Sequence, residues 1–188
     1  MAFFSGGQGR VKLLLLYMIK RFRTPVTREQ LYTAMVNADS TGFFEMSELL
    51  AELEEEKYVL TVPVRQRQLI FLTERGAELA ETFEREIARS VRDEAAGYID
   101  EHREEVRREN CIVTDALPNA DGSWRLTMSI LEGGGAAFEI SLHMPDAAST
   151  FRAQQRWLAE ADKIYLETLE RLCAPKDGAE EPEGSDDQ

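Results

Sequence analysis

Two histidines, two cysteines and a surplus of carboxylates are the residues of this 188-residue chain best equipped for chemistry. Neither His102 nor His143 stands at metal-ligand spacing from Cys111 or Cys173, so no zinc-type site is expected. Ser47 and Ser129 have no base nearby in sequence, and no Gly-x-Ser-x-Gly elbow occurs. Gly6-Gly7-Gln8-Gly9 lacks the Lys-Ser/Thr that closes a phosphate loop, and it follows no strand. Gly133-Gly134-Gly135 reads as a turn rather than an anion cradle. The carboxylates offer no recognisable acid–base pair. The expectation is a chain without catalytic residues, metal or cofactor. Its two distant cysteines read as reduced, buried thiols, as in a cytoplasmic protein.

What remains is electrostatic. The net charge of −13 argues at first against a polyanionic partner, but its distribution matters more than its sum. Residues 1–73 carry nine Lys/Arg and eight Asp/Glu, so the excess acid lies behind them. Residues 1–28 hold Arg10, Lys12, Lys20, Arg21, Arg23 and Arg28 and no acidic residue. The front of the chain can face a polyanion and the back cannot. The longest apolar run, Leu13 to Ile19, is bracketed by Lys12 and Lys20. It falls far short of the roughly 20 residues a membrane span needs. No small-residue cleavage site follows it, so neither a span nor a secretory signal is expected.

The elements that must position these charges can be read in order. Residues 1–9 read as a Gly-rich flexible arm. Val11, Leu14, Leu15, Met18, Ile19 and Phe22 recur at helical spacing over 10–23. Thr24-Pro25-Val26 breaks that helix. Thr27-Arg28-Glu29-Gln30 is a capping-box pattern opening a second helix, with Leu31, Ala34 and Met35. After the turn at 37–42, Phe43, Met46, Leu49, Leu50 and Leu53 stripe a third. Tyr58 to Val62 and Leu69 to Thr73 are β-prone runs flanking a polar, basic tip, the pattern of a hairpin. Thr73 caps a further helix along Ala77, Ala80, Phe83, Ile87 and Val91.

Three short helices followed by a hairpin is the order of a winged helix. Leu49-Leu50-Ala51-Glu52-Leu53-Glu54-Glu55-Glu56-Lys57-Tyr58-Val59 resembles a recognition helix running into its wing. Phe71-Leu72-Thr73-Glu74-Arg75-Gly76-Ala77-Glu78-Leu79 resembles the L-T-x-x-G-x-x-L exit from the wing of PadR- and MarR-type transcriptional regulators. Gly76 has a physical reason there, because the following helix packs close against the returning strand.

Behind this unit, residues 92–109 alternate Glu and Arg, with Tyr98, His102 and Val106 on one face. This is a solvated helix laced by i,i+4 pairs, or one that packs on a second subunit. Three alternating segments follow. Cys111, Val113, Asp115 and Leu117 share a face of the first. Trp124, Leu126, Met128 and Ile130 share one of the second, and Phe138, Ile140, Leu142 and Met144 one of the third. Turn signals at 118–122 and 132–135 join them into a three-stranded antiparallel meander. Pro145-Asp146 starts a long helix whose Phe151, Trp157, Leu158, Ala161, Ile164, Tyr165, Leu169 and Leu172 can cover the sheet. Residues 174–188 are Pro/Gly/acid-rich and read as a disordered tail.

The chain as a whole resembles an uncharacterised family of bacterial winged-helix proteins, a domain of unknown function. The resemblance runs over about residues 10–173. It rests on Trp124-Arg125-Leu126-Thr127-Met128-Ser129-Ile130-Leu131-Glu132 and on Ala147, Trp157, Ile164-Tyr165 and Leu169. It departs from the family strand at Trp124, where that strand has Tyr, and it supplies no ligand or catalytic residue.

The expected fold is therefore α+β. A winged helix at 10–75, three helices plus a hairpin wing, is followed by linking or dimerisation helices at 76–109. A small α+β domain occupies 110–173, a three-stranded meander covered by the long C-terminal helix. The expected function is a homodimeric, cytoplasmic, DNA-binding transcriptional regulator. The groove helix would present Thr41, Phe43, Ser47 and Glu48 to double-stranded DNA. Arg10, Lys12 and Arg28 would hold phosphates, and Arg65, Gln66, Arg67 and Gln68 at the wing tip would reach backbone or minor groove. Phe83, Ile87, Val91, Tyr98 and His102 would form the dimer contact. Glu45 and Glu48 argue against a groove helix, since carboxylates near phosphates cost affinity. A winged-helix protein-interaction module without DNA binding therefore stands as the alternative. A small-molecule sensor through the C-terminal α+β unit is a further one.

Overall fold

The computed structural model describes residues 6–39, 41–132 and 135–174. The expected tail at 174–188 lies outside these residues except for Ala174, as do residues 1–5 of the expected arm. The rest of that arm differs from expectation: the first helix, α1, spans Gly7–Phe22 and so takes in Gly7, Gln8 and Gly9. It is followed by α2 (Arg28–Val36), α3 (Phe43–Glu55) and the hairpin β1 (Val59–Val64) and β2 (Arg67–Leu72). Then come α4 (Glu74–Phe83), a 3-10 turn at Glu84–Glu86, and α5 (Arg89–Cys111). The chain closes with β3 (Ile112–Pro118), β4 (Trp124–Glu132), β5 (Gly135–Met144) and α6 (Ala147–Cys173). No described helix is long and apolar enough to cross a membrane.

The sequence predicts a helix over 10–23 with one apolar stripe, Val11, Leu14, Leu15, Met18, Ile19 and Phe22. α1 is instead the central helix, with every residue from Leu13 to Ile19 at most 8% exposed. It packs on α2, α3, α4 and α5, and a helix apolar all round requires such a surround. Each Leu buried there contributes roughly 2 kcal/mol. Val26, in the break between α1 and α2, pairs antiparallel with Ile70 of β2. Its N–H donates to the Ile70 carbonyl at 3.2 Å, and its carbonyl accepts from the Ile70 N–H at 2.8 Å. This bridge ties the hairpin to the helices.

The local signals for the first unit hold. Thr27 and Gln30 form the reciprocal capping box, at 3.2 and 2.9 Å. The Gly76 N–H donates to the Thr73 hydroxyl, capping α4. A Cβ on Gly76 would collide with the backbone carbonyl of Tyr58 and with Leu72. The close approach is thus to the returning strand at Leu72, as expected, and also to the backbone just before β1.

The linking helices differ from the reading. The expected run of Phe83, Ile87 and Val91 along one helix is cut at Glu84–Glu86, and Ile87 is extended (φ −77°, ψ 130°). The chain turns there so that Ile87, 6% exposed, enters the first core with Ala95, Ile99 and Val106 of α5. α5 then crosses the expected boundary at 110 and delivers Ile112 directly into β3.

The meander is present, in the order β3-β4-β5. The face of β3 is the opposite of the one expected. Ile112, Thr114 and Ala116 pair with Ile130, Met128 and Leu126 of β4, so they share the covered face. Asp115 and Leu117 point away, and Cys111 ends α5 rather than starting the strand. The hydroxyl of Thr114 is taken up by Gln154 of α6 at 3.2 Å, which lets a polar residue sit under the helix. The second core gathers Ile112, Leu126, Met128, Ile130, Trp157 and Ala161. Trp157 is fully buried and its ring N–H donates to the Val113 carbonyl at 3.0 Å. α6 is kinked at Glu160 (φ −129°, ψ 17°).

Candidate functional site

The exposed start of α2 and the hairpin flank a cleft of about 740 Å³. Thr27, Arg28, Gln30, Phe43, Gln66 and Arg67 line it. Arg28 owes its place to the capping box, which fixes the first turn of α2 with its side chain in solvent. The hairpin reverses between Val64 and Arg67, which pair across the strands, so Arg65 and Gln66 form the tip. Arg65 takes the left-handed region there (φ 58°). Such a conformation costs a non-glycine residue of order 1 kcal/mol.

The hairpin is tethered rather than free. Arg67 donates to Asn110 Oδ1 at 3.2 Å and pairs with Glu109 at 3.4 Å. Asn110 is 1% exposed. Its amide donates to the Pro25 carbonyl at 2.9 Å and to Gln30 Oε1 at 2.7 Å. Gln30 in turn donates to Glu109 at 3.0 Å. One buried side chain at the end of α5 thus joins the hairpin, the α1–α2 break and the cap of α2. Sequence reasoning missed Asn110, because its partners lie far off in the chain and nothing local marks it.

The eleven residues expected to face a polyanion fall into two groups. Arg10, Arg28, Glu48, Arg65, Gln66 and Gln68 are exposed. Lys12 is not available: it is 7% exposed and bound by Glu52 at 2.8 Å and Glu56 at 3.1 Å. Burial alone would lower its ammonium pKa, but the two glutamates raise it above the ordinary value. Thr41 is buried, its N–H and hydroxyl both given to Asp39. Ser47 is half-buried, its hydroxyl enclosed and without a hydrogen-bond partner among the described residues. Arg67, though exposed, is committed to Glu109 and Asn110. Phe43 stands edge-on to Tyr32 with ring centroids 5.1 Å apart.

The open side of α3 is acidic and carries one apolar group that the sequence reading passed over. Phe44 is 84% exposed beside Glu45, Glu48 and Ala51. Its signal was its place off the Phe43, Met46, Leu50 stripe. Of the expected dimer contact, Ile87 is buried, and Phe83 and Val91 pack against the first core of their own chain. Tyr98 and His102 stack on one another at 4.2 Å and remain half-exposed. His143 lies exposed on β5. Cys111 is buried 2.9 Å from the Thr24 hydroxyl, and burial pushes its thiol above the ordinary range. Cys173 is exposed, against expectation. Among the described residues no three His, Cys, Asp or Glu side chains are grouped to hold a metal ion.

Comparison with curated proteins finds no match, and neither does comparison with solved structures. One family model matches, described as a domain of unknown function, over residues 11–172. That span runs from the central helix to the last turn of α6, and so includes both cores and the Asn110 tether between them. The chain belongs to the DUF4364 family, a domain of unknown function.

Proposed function

We propose that residues 10–75 are a winged helix and that the protein is a cytoplasmic DNA-binding regulator. The observation that carries this reading is the Val26–Ile70 bridge. It ties the two-stranded hairpin to the α1–α2 break beside α1–α3, with the start of α2 and the hairpin tip flanking one cleft. Arg28 and Arg65 would take phosphates on either side, with Gln66 and Gln68 between them. α3 would approach the groove. With Lys12 and Arg67 engaged inside the protein, the phosphate contacts fall to Arg10, Arg28 and Arg65. Few contacts mean modest affinity and a shallow salt dependence.

A pair of chains would present two such units. The expected dimer face at 83–102 turns largely into its own core. α6 offers Phe151, Leu166 and Leu172, at 61%, 57% and 77% exposure, as the face for that pairing.

A second reading has its own support. Phe44 amid Glu45, Glu48 and Ala51 is a surface for an apolar, basic protein segment rather than for phosphates. Two variants separate the readings. Arg28→Ala with Arg65→Gly should weaken duplex binding and lower the slope of log affinity against log salt by roughly one per lost phosphate contact. Phe44→Ala should leave that slope unchanged. If instead the arginine variants bind duplex DNA like the parent chain, the DNA reading fails.

A further inference from the structure

A second cleft, of about 530 Å³, lies between the hairpin and the C-terminal α+β unit. The hairpin contributes Val64, Arg65 and Leu69, the end of α5 contributes Arg108, and Ile112 and Leu158 close the other side. Its size is that of a small-molecule site, and its lining mixes apolar walls with a few charged groups in the usual way for such sites. Leu158 is 45% exposed, and in this cleft it has a place that a solvated helix surface would not give it.

The charges are unevenly satisfied. Arg67, which also reaches the cleft, already has Glu109 and Asn110. Among the described residues Arg65 makes no ion pair within 4 Å; Asp115, across the cleft, acts on it at longer range. Burial there lowers the Arg65 guanidinium below its ordinary value, with Asp115 opposing. Arg108 likewise forms no ion pair within 4 Å, with Asp162 its longer-range neighbour. Two guanidiniums without a close anion therefore border an apolar recess.

We infer that this cleft binds an amphipathic organic anion, a carboxylate on an apolar body, through Arg65 and Arg108 with the body against Ile112, Leu69 and Leu158. The guanidinium fork matches a carboxylate bidentately. The site shares a wall with the Asn110 tether. A bound carboxylate also lies beside Arg67 and competes with Glu109 for it. On the DNA reading proposed above, and only there, occupancy would draw Arg65 away from phosphate and so act as a release signal.

The test needs no DNA, so its failure and that of the DNA reading are separable. The full chain is titrated calorimetrically with octanoate, with the neutral octanamide, and with inorganic phosphate. Saturable octanoate binding is expected, with both other probes weaker by roughly ten-fold or more. Arg108→Gln and Arg65→Gly should each cost roughly ten-fold in octanoate affinity. Leu158→Asp should abolish binding. Melting curves of each variant establish that the fold is kept. Equal binding of octanamide would make the recess merely apolar, and equal binding of phosphate would make it a bare cation patch. Either result, no binding of octanoate, or arginine variants that bind like the parent, overturns the inference.

Discussion

The two cores of this chain differ in how completely they are closed. Among the described residues the first gathers 25 buried residues around α1, and the second only six around Trp157. The first draws on five helices and the hairpin, so that a polar residue such as Lys12 is enclosed along with the leucines. The second is one sheet with one helix over it, and α6 leaves large apolar side chains in solvent. A closed core specifies a shape and needs nothing else. An open one has surface left over for a second molecule. The difference assigns the rigid scaffold to the first unit and the adaptable contacts to the second, with Asn110 at the seam.

Trp157→Ala should give the largest loss, about 4 kcal/mol, since it empties the second core and orphans the Val113 carbonyl. If the cores are as separate as this contrast holds, hydrogen exchange will show β3–β5 unprotected while α1 stays protected. Loss of α1 protection in step would merge the two regions into one cooperative unit. Gly76→Ala is the converse experiment. Its Cβ meets the Tyr58 backbone, which cannot yield as a side chain can. A cost of about 3 kcal/mol, read by denaturant melts, should fall on the first unit.

Asn110→Ala strikes the seam. It removes the side-chain donor to the Pro25 carbonyl, one of two donors to Gln30 Oε1 and one of two acceptors of Arg67, at about 2 kcal/mol. The hairpin amides should then exchange faster while both cores remain folded. Unchanged exchange in β1 and β2 would mean that the hairpin does not depend on Asn110 for its hold.

The smallest effect is electrostatic. Arg107 of α5 holds Asp162 of α6 in a two-point contact, one limb at 3.0 Å. It keeps the Asp162 carboxyl below its ordinary value. A lowered carboxylate pKa stabilises the fold above the unfolded value of about 3.9 and loses that contribution as pH falls through the folded one. Asp162 is half-exposed and screened, so Arg107→Gln should cost under about 1 kcal/mol at pH 7. The variant and the parent should converge once the pH has fallen below the folded value of Asp162. A difference that persists there would point to packing of the Arg107 stem rather than to charge.

Much of the first unit was legible because its signals are local. The Thr27–Gln30 box, the Thr73 cap, the α3 stripe and the presence of the hairpin each need only a few neighbouring residues, though the tip read over 63–68 proves to be only Arg65 and Gln66. What escaped was set by partners far along the chain. Lys12 looked like a phosphate ligand because Glu52 and Glu56, on another helix, are invisible to a local reading. Arg67 looked free because Asn110 is 43 residues away. The face of β3 was misassigned because Cys111, Val113 and Leu117 out-signal Ile112, Thr114 and Ala116 in apolarity. Pairing with β4 and the Gln154 bond to Thr114 decide it the other way.

The central claim is that the start of α2 and the hairpin tip grip a nucleic-acid backbone. Its most direct test is binding of the full chain to a labelled duplex, random in sequence or taken from upstream of its own coding region, across a salt series. The account predicts saturable binding at low salt, stronger on the upstream duplex, with a shallow slope that corresponds to the few phosphate contacts left to Arg10, Arg28 and Arg65. A folded chain that binds neither duplex at low salt would contradict it, and would leave the acidic, Phe44-bearing face of α3 as the surface to pursue.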